Sequence, residues 1–206
     1  MNRYKNMSDE ELRNTFVPEV YQPDIYAVDY QKLKSAGISL ISFDVDDTIA
    51  GLEELIPPKN TIIKFEQLKK MGFALFLMSN NHDENRIRYF AKKLDVDYIA
   101  HSLKPSMFSF RLIQDRYSEK YHVSVQETQM AHIGNNIISD VGGGNTFGAV
   151  TCLVRRMGVL AKPFHINDEA HKLRKILKER DIWRKHHKYA ENDQYYQLGE
   201  IPAYRK

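Results

Sequence analysis

Phe73-Ala74-Leu75-Phe76-Leu77-Met78 is an unbroken apolar run of six residues, closed by Ser79. A strand with one face in water alternates apolar and polar residues. A run without alternation belongs to a strand covered on both faces, as in a parallel sheet sandwiched between helices. Other short apolar runs repeat the signal: Ser39 to Phe43, Tyr98 to Ala100, Met130 to Ile133 and Val150 to Val154. Helical spacing fills the intervals, with Ile62, Ile63, Phe65 and Leu68 between Lys59 and Met71, and Ile87, Phe90, Ala91 and Leu94 between Asp83 and Leu94. A further helix opens near Pro105 and carries Phe108, Leu112 and Ile113. Strands alternating with helices predict an α/β, Rossmann-like three-layer fold with a mostly parallel sheet of about five strands.

Composition narrows the class. At 206 residues, 42% apolar and 28% charged, the chain is globular and of ordinary domain size. One cysteine excludes a disulfide framework and suits a reducing compartment. The six-residue run falls far short of the ~20 apolar residues of a membrane span. With no apolar stretch near Met1 to suggest a secretory signal, the expectation is a soluble, cytoplasmic protein.

Four polar features follow the strands, at the edge where open parallel sheets place ligands. Asp44-Val45-Asp46-Asp47-Thr48 comes first. Asp44 and Asp46 are two apart, so along an extended segment they share a face. Two carboxylates in one small site can divide labour, one as nucleophile and one as general acid. Asp and Thr also cap helices and turns, so the motif alone leaves both readings open. Ser79-Asn80-Asn81 is second, either an anion cradle or an N-cap for the Asp83 helix. Lys104-Pro105 is third, a charge able to neutralise phosphate or simply a surface lysine. The run from Gly134 through Asn135 and Asp140 to Asn145 is fourth; its glycines permit close approach and Asp140 offers a hard oxygen ligand.

In this order the set resembles the haloacid dehalogenase (HAD) superfamily of phosphohydrolases over about residues 17–160. From Val17 through Gly148, including Pro18, Pro23-Asp24 and the Gly-Gly-Asn turn, it looks most like the YqeG branch of subclass IIIA, which is similar to phosphatidylglycerophosphatases. The resemblance implies that Asp44 forms an aspartyl phosphate and that Asp46 protonates the leaving group and then activates water. It implies that Thr48 orders the loop, and that Ser79 and Lys104 hold phosphoryl oxygens. It also implies Mg²⁺ held by Asp44, the Asp46 carbonyl and the fourth motif, where Asp140 and Asn135 stand. One position departs from the pattern: Asn135 replaces the usual Asp, which predicts weaker Mg²⁺ binding because an amide brings no charge. Having an acid at Asp46, which dehalogenase members lack, favours phosphate esters.

Only 30 residues separate Thr48 from Ser79, and 24 separate Ser79 from Lys104. Helices and strands consume both intervals, so the site is expected to be capless, with the 50–58 loop as its one local flap. An open site admits phosphate on a large scaffold, such as a lipid head group, a nucleic-acid end or a protein.

The surplus charge of +3 lies entirely in residues 165–206, because residues 1–164 carry 20 basic and 20 acidic side chains. This predicts a phosphatase domain over 1–164 and a basic helical C-terminal extension with a tail over 165–206. Residues 171–188 hold eight Lys or Arg, and Leu173, Ile176, Leu177 and Trp183 fall near helical spacing, interrupted by Arg180. This segment is either a solvated helix face or a contact for anionic membrane or nucleic acid. Trp183 is either an interfacial anchor or a packing residue. Cys152 and His132 read as core residues. His101 and His122 lack partners at metal-ligand spacing.

Three functional readings stand. The leading one is a Mg²⁺-dependent phosphomonoesterase, with phosphatidylglycerophosphate as the substrate the resemblance suggests. The second is a catalytically weakened HAD-fold module that binds RNA, ribosome or anionic membrane through the basic helix. The third, a receiver-type switch, fits the acid at Asp46 and the glycine-rich motif least well.

Overall fold

The computed structural model describes residues 3–157, 169–183 and 195–200. Its helices are α1 (Asp9–Phe16), α2 (Tyr30–Ser35), α3 (Lys59–Lys70), α4 (Glu84–Leu94), α5 (Phe108–Tyr121), α6 (Gly143–Phe147) and α7 (Glu169–Glu179). Its strands are β1 (Val20–Gln22), β2 (Leu40–Phe43), β3 (Ala74–Met78), β4 (Asp97–Ile99), β5 (Met130–Gly134) and β6 (Val150–Val154). They form one sheet of order β1-β6-β5-β2-β3-β4 in which every pair is parallel.

Residue alternation divides the molecule into three layers. Ile41, Phe43, Leu75, Leu77, Ala131 and Ile133 face α2, α3 and α4, where Phe65, Leu68, Ile87 and Phe90 are buried. The Phe43 and Phe65 ring centroids lie 4.7 Å apart. Leu40, Phe76, Met78 and Met130 face the other way, against Phe110, Ile113 and Phe147 of α5 and α6. Burying each such side chain contributes about 1.5–3 kcal/mol, which is why the runs tolerate so few polar interruptions.

The sheet has six strands rather than about five; the additional one is β1, an edge strand of three residues too short between Pro18 and Pro23 to show a period. Its outer edge is covered by Tyr196, whose backbone N–H and C=O each bond those of Tyr21 at 3.0 Å. An edge closed in this way cannot recruit another strand there. Residues 195–200, which read as tail, are therefore built into the sheet margin. Two positions differ from the helical stripes. Ile63 is 42% exposed while Thr61 is buried, and α5 turns Phe108 outward and Phe110 inward.

Residues 169–183 join a third apolar cluster with the N-terminal segment: Tyr4, Leu12, Phe16 and Val17 pack with Leu173, Ile176, Leu177, Ile182 and Trp183. Of the two readings of Trp183 the structure has packing, with its ring 1% exposed and its indole N–H donating to the Tyr196 hydroxyl at 3.0 Å. Arg180, the interruption in the stripe, donates to the Met7 and Lys5 carbonyls at 2.8 and 2.6 Å. The division at residue 164 and the basic residues 184–188 lie outside the described residues. Among those described, no helix is long and apolar enough to cross a membrane.

Parallel register sets where chemistry can occur. Phe43 aligns with Leu77 on one side and Ile133 on the other. The chain therefore leaves β2, β3 and β5 at a common edge. Between β2 and β5 the strand order reverses, opening the crevice in which such sheets bind ligands. No inserted domain occupies the segments between β2 and β3 or between β3 and β4.

Candidate active site

Asp44 is the first residue past β2, its N–H still held by the Ile133 carbonyl at 2.9 Å. The chain then turns tightly, with the amides of Thr48, Ile49 and Ala50 all donating to the Val45 carbonyl. This turn brings the Thr48 hydroxyl back to Asp44 Oδ2 at 3.1 Å. Lys104 Nζ reaches Asp44 Oδ1 at 2.7 Å, Asp140 Oδ1 at 2.8 Å and the Met78 carbonyl at 2.8 Å. The ammonium is thus fully bonded at 1% side-chain exposure. Asp44, Thr48, Lys104 and Asp140 meet in one buried cluster.

Asp140 enters that cluster because Gly134 has no side chain. A Cβ there would stand 2.2 Å from the Asp140 carboxyl carbon, closer than atoms approach. Asp140 Oδ2 accepts the Asn136 N–H at 2.8 Å, and Oδ1 takes His132 Nε2 at 3.2 Å as well as Lys104. His132 is buried, with Nδ1 2.8 Å from the Ser42 hydroxyl. Both ring nitrogens are satisfied if Nε2–H donates to Asp140 and Nδ1 accepts from Ser42, an assignment taken from the partners.

The electrostatics follow from this packing. Burial raises the Asp44 carboxyl to about 6, against the pull of the Lys104 ammonium and with the Asp140 charge adding to the rise. Burial also opposes a charge on Asp140, but Lys104 and His132 outweigh it and hold that carboxyl well below the usual range. For Lys104 burial favours the neutral amine, and the two carboxylates reverse it and raise the value. His132 is lowered, first by burial and further by Lys104, with Asp140 opposing, and stays neutral at neutral pH. The cluster of Asp44, Asp140 and Lys104 carries one net negative charge.

Asp46 stands apart from this group. Its side chain is 20% exposed, with Oδ1 on Arg86 Nη1 at 2.5 Å and Oδ2 on Asn81 Nδ2 at 2.8 Å. Ser79 is buried directly after the Met78 carbonyl that holds Lys104, and its hydroxyl accepts the Asn81 N–H at 3.0 Å. The N-cap of α4 is Asp83, not Ser79. Asn80 grips the third motif: its Oδ1 accepts from the Lys104 N–H at 2.8 Å and its Nδ2 donates to the Lys104 carbonyl at 2.9 Å. Sequence reasoning missed Arg86, Asn80, Asn81 and the service of His132 to Asp140. Asn80 and Asn81 lie inside the quoted second motif, whereas nothing in the helical pattern distinguishes Arg86 from the other basic residues of α4.

The donors for Mg²⁺ would be the Asp44 and Asp140 carboxylates, the Asp46 carbonyl and Asn135. No group of three or more Asp, Glu, His or Cys side chains gathers as a metal site among the described residues. This mixed set of two carboxylates, a carbonyl and an amide is nevertheless the kind of hard oxygen shell that Mg²⁺ accepts, with water completing it. One polar group awaits a better partner: the Asp46 carbonyl has Asn135 Nδ2 at a long 3.4 Å. The net negative charge and that loosely bonded carbonyl fit a small cation, and a turn of the Asn135 amide would present its oxygen.

No protein-family model matches the chain. Among curated proteins it is similar to "Probable phosphatase YqeG" of Bacillus subtilis (strain 168), 28% identical over 144 residues, covering 69% of this chain and 79% of that protein. Among solved structures it is similar to an uncharacterized protein from Listeria monocytogenes serotype 4b, with a TM-score of 0.45, 17% identity, and coverage of 70% of this chain and 99% of that one. Another is 3-deoxy-D-manno-octulosonate 8-phosphate phosphatase from Moraxella catarrhalis in complex with magnesium ion, phosphate ion and KDO. Its TM-score is 0.42, with 16% identity and coverage of 74% and 92% of the respective chains. At such TM-scores the structural likenesses are distant, and no chemistry is taken from them.

Proposed function

We propose that this chain, a YqeG-like phosphatase of the HAD type, cleaves phosphate monoesters through a phosphoryl group carried on Asp44. The observation that supports this reading is the Asp44–Lys104–Asp140 cluster, where a buried carboxylate with a value of about 6 is mostly ionised at neutral pH. One Asp44 oxygen attacks phosphorus as the bond from phosphorus to the leaving oxygen breaks, and Asp46, protonated on Oδ2 in place of its Asn81 bond, gives that oxygen its proton. Asp46 then takes a proton from water as the water attacks the phosphoryl group. Asp44 is released and inorganic phosphate leaves. Ser79 and Lys104, the latter exchanging one of its three present contacts, hold phosphoryl oxygens in place, and Thr48 keeps Asp44 oriented. Mg²⁺, held by Asp44, Asp140, Asn135 and the Asp46 carbonyl, would neutralise charge on the transferring group.

The open site suits phosphate on a large carrier, and phosphatidylglycerophosphate is the candidate from resemblance. The basic residues in the 171–188 segment are the candidate contact for such a lipid. The first experiment is hydrolysis of 4-nitrophenyl phosphate with Mg²⁺ by the full chain and by Asp44→Asn. The expected result is turnover in the first and none in the second; turnover surviving in Asp44→Asn would remove Asp44 as nucleophile. Recruitment to phosphatidylglycerol vesicles, with release of phosphate from vesicle-borne phosphatidylglycerophosphate, checks the substrate. Release from soluble esters only would reject the lipid.

A further inference from the structure

The guanidinium of Arg86 spends its three nitrogens on three different partners. Nη1 holds Asp46 Oδ1 at 2.5 Å, Nη2 donates to the Gly51 carbonyl at 3.0 Å and Nε donates to the Glu54 carbonyl at 3.0 Å. Its planar face lies over the Phe90 ring, 4.6 Å from the centroid. The side chain is 8% exposed although it sits on a surface helix. Arg86 is also tied at its backbone, where its N–H donates to the N-cap carboxylate of Asp83 at 3.1 Å. The 51–54 turn is also held by its own bonds, the Gly51 N–H to Glu54 Oε2 at 2.7 Å and the Glu54 N–H to the Gly51 carbonyl at 3.2 Å, and by the Leu52 N–H on the Asp47 carboxylate. Leu52, Leu55 and Ile56 stand 51%, 77% and 61% exposed, so packing does little to seat the loop.

We propose that Arg86 is a positioning residue that locks the 51–54 flap and the Asp46 carboxylate into one arrangement, so that the acid/base group is aligned only while the flap is docked. The planar fork carries the coupling, because Nη1, Nη2 and Nε are separate atoms aimed in fixed directions at three acceptors, whereas a lysine would have to gather all three around one nitrogen. Asn81 fixes the other carboxylate oxygen from the β3–α4 loop, leaving Arg86 as the link to the flap. When the flap lifts, the fork loses two carbonyls and Asp46 loses the reference that sets its direction. Both Asp46 oxygens accept N–H bonds here, so to act as an acid Asp46 takes a proton on Oδ2 in place of its Asn81 bond while Arg86 keeps Oδ1. Flap docking then sets the direction of Oδ2 as its proton passes to the leaving oxygen.

This inference rests on the phosphatase reading for its catalytic half only. Two measurements on Arg86→Gln and Arg86→Lys test it. The first compares kcat on 4-nitrophenyl phosphate, whose leaving group needs little protonation, with kcat on phenyl and alkyl phosphates, which need it. The expected result is a loss at least about tenfold greater on the poor leaving groups, the part of general-acid catalysis that depends on alignment. Equal losses on all esters would overturn the positioning role. The second, which needs no turnover, is hydrogen exchange of the amides in 51–56. Both Arg86 variants and Asp46→Ala are expected to speed it, and unchanged exchange in all three would overturn the coupling. Absence of turnover by the unmodified chain would instead count against the phosphatase reading, with the exchange result still deciding the coupling.

Discussion

The two carboxylates of the first motif stand two residues apart and live in different surroundings. Asp44 is held by groups from the rigid frame: Thr48 in the turn after β2, Lys104 before α5, and through it Asp140 after β5. Asp46 is 20% exposed and held by Arg86 of α4 and Asn81, with the flap on the same guanidinium. The nucleophile proposed at Asp44 must not move, and its charge is paired within the rigid frame. The proton-passing role proposed for Asp46 requires meeting a leaving oxygen and then a water, and its supports lie at the rim. The same motif therefore supplies one residue whose loss threatens the fold and one whose loss threatens only the reaction.

Lys104→Met is expected to break the buried side most severely. It leaves Asp44 and Asp140 without their shared cation, which should cost about 3–5 kcal/mol in urea unfolding and remove turnover. Full stability in this variant would mean that the cluster is not an interdependent unit. Asp46→Asn should sharpen the contrast from the other side: turnover falls by about 10²–10⁴-fold while stability changes by no more than about 1–2 kcal/mol. A collapse in stability as large as that of Lys104→Met would erase the distinction between the two regions. Asn135→Asp restores a charge beside the Asp46 carbonyl and is expected to lower the Mg²⁺ concentration for half-maximal activity by roughly tenfold. An unchanged midpoint would show that Asn135 lies outside the cation's reach. Ser42→Ala is the mildest, removing one buried hydrogen bond from His132 at about 1 kcal/mol, with turnover within a few-fold. A large loss of turnover there would raise His132 from a support of Asp140 to a participant.

How much of this was legible beforehand depended on whether the information was local. The strands at 40, 74, 130 and 150 were readable because both faces are buried and each run carries at most one polar residue, whereas β4 is half-buried at the sheet edge and was legible only as the short run from Tyr98 to Ala100. Asp44 and Ser79 were readable because each directly ends such a run, and Lys104 and Asp140 because each stands in the polar turn that follows one. β1 was not, since three residues between prolines hold no period and their partner β6 lies far along the chain. Tyr196 was missed for the same reason: its bonds to Tyr21 reach back across the length of the protein. Arg86 was missed because a surface stripe that includes Arg88, Lys92 and Lys93 gives no sign that one member turns inward to a carboxylate. His132 was read correctly as a satisfied core residue, but its partner Asp140 could be found only once the turn after Gly134 was known.

The pairing of β1 with β6, and of Tyr4 and Phe16 with Trp183, has a consequence in time. Residues 3–22 are made before β2, yet much of what they pack against, including Ile137, Val141, Leu153, Leu173 and Trp183, is made after β5. The central strands β2 to β5 complete their mutual contacts while that opening segment still waits for a neighbour. Such distant closures are slow because the intervening loop must be gathered first. On the ribosome the catalytic edge is therefore expected to assemble before the molecule's flank is sealed. Residues 169–183 would then act as a clasp on a core already formed, drawing in residues 4–17.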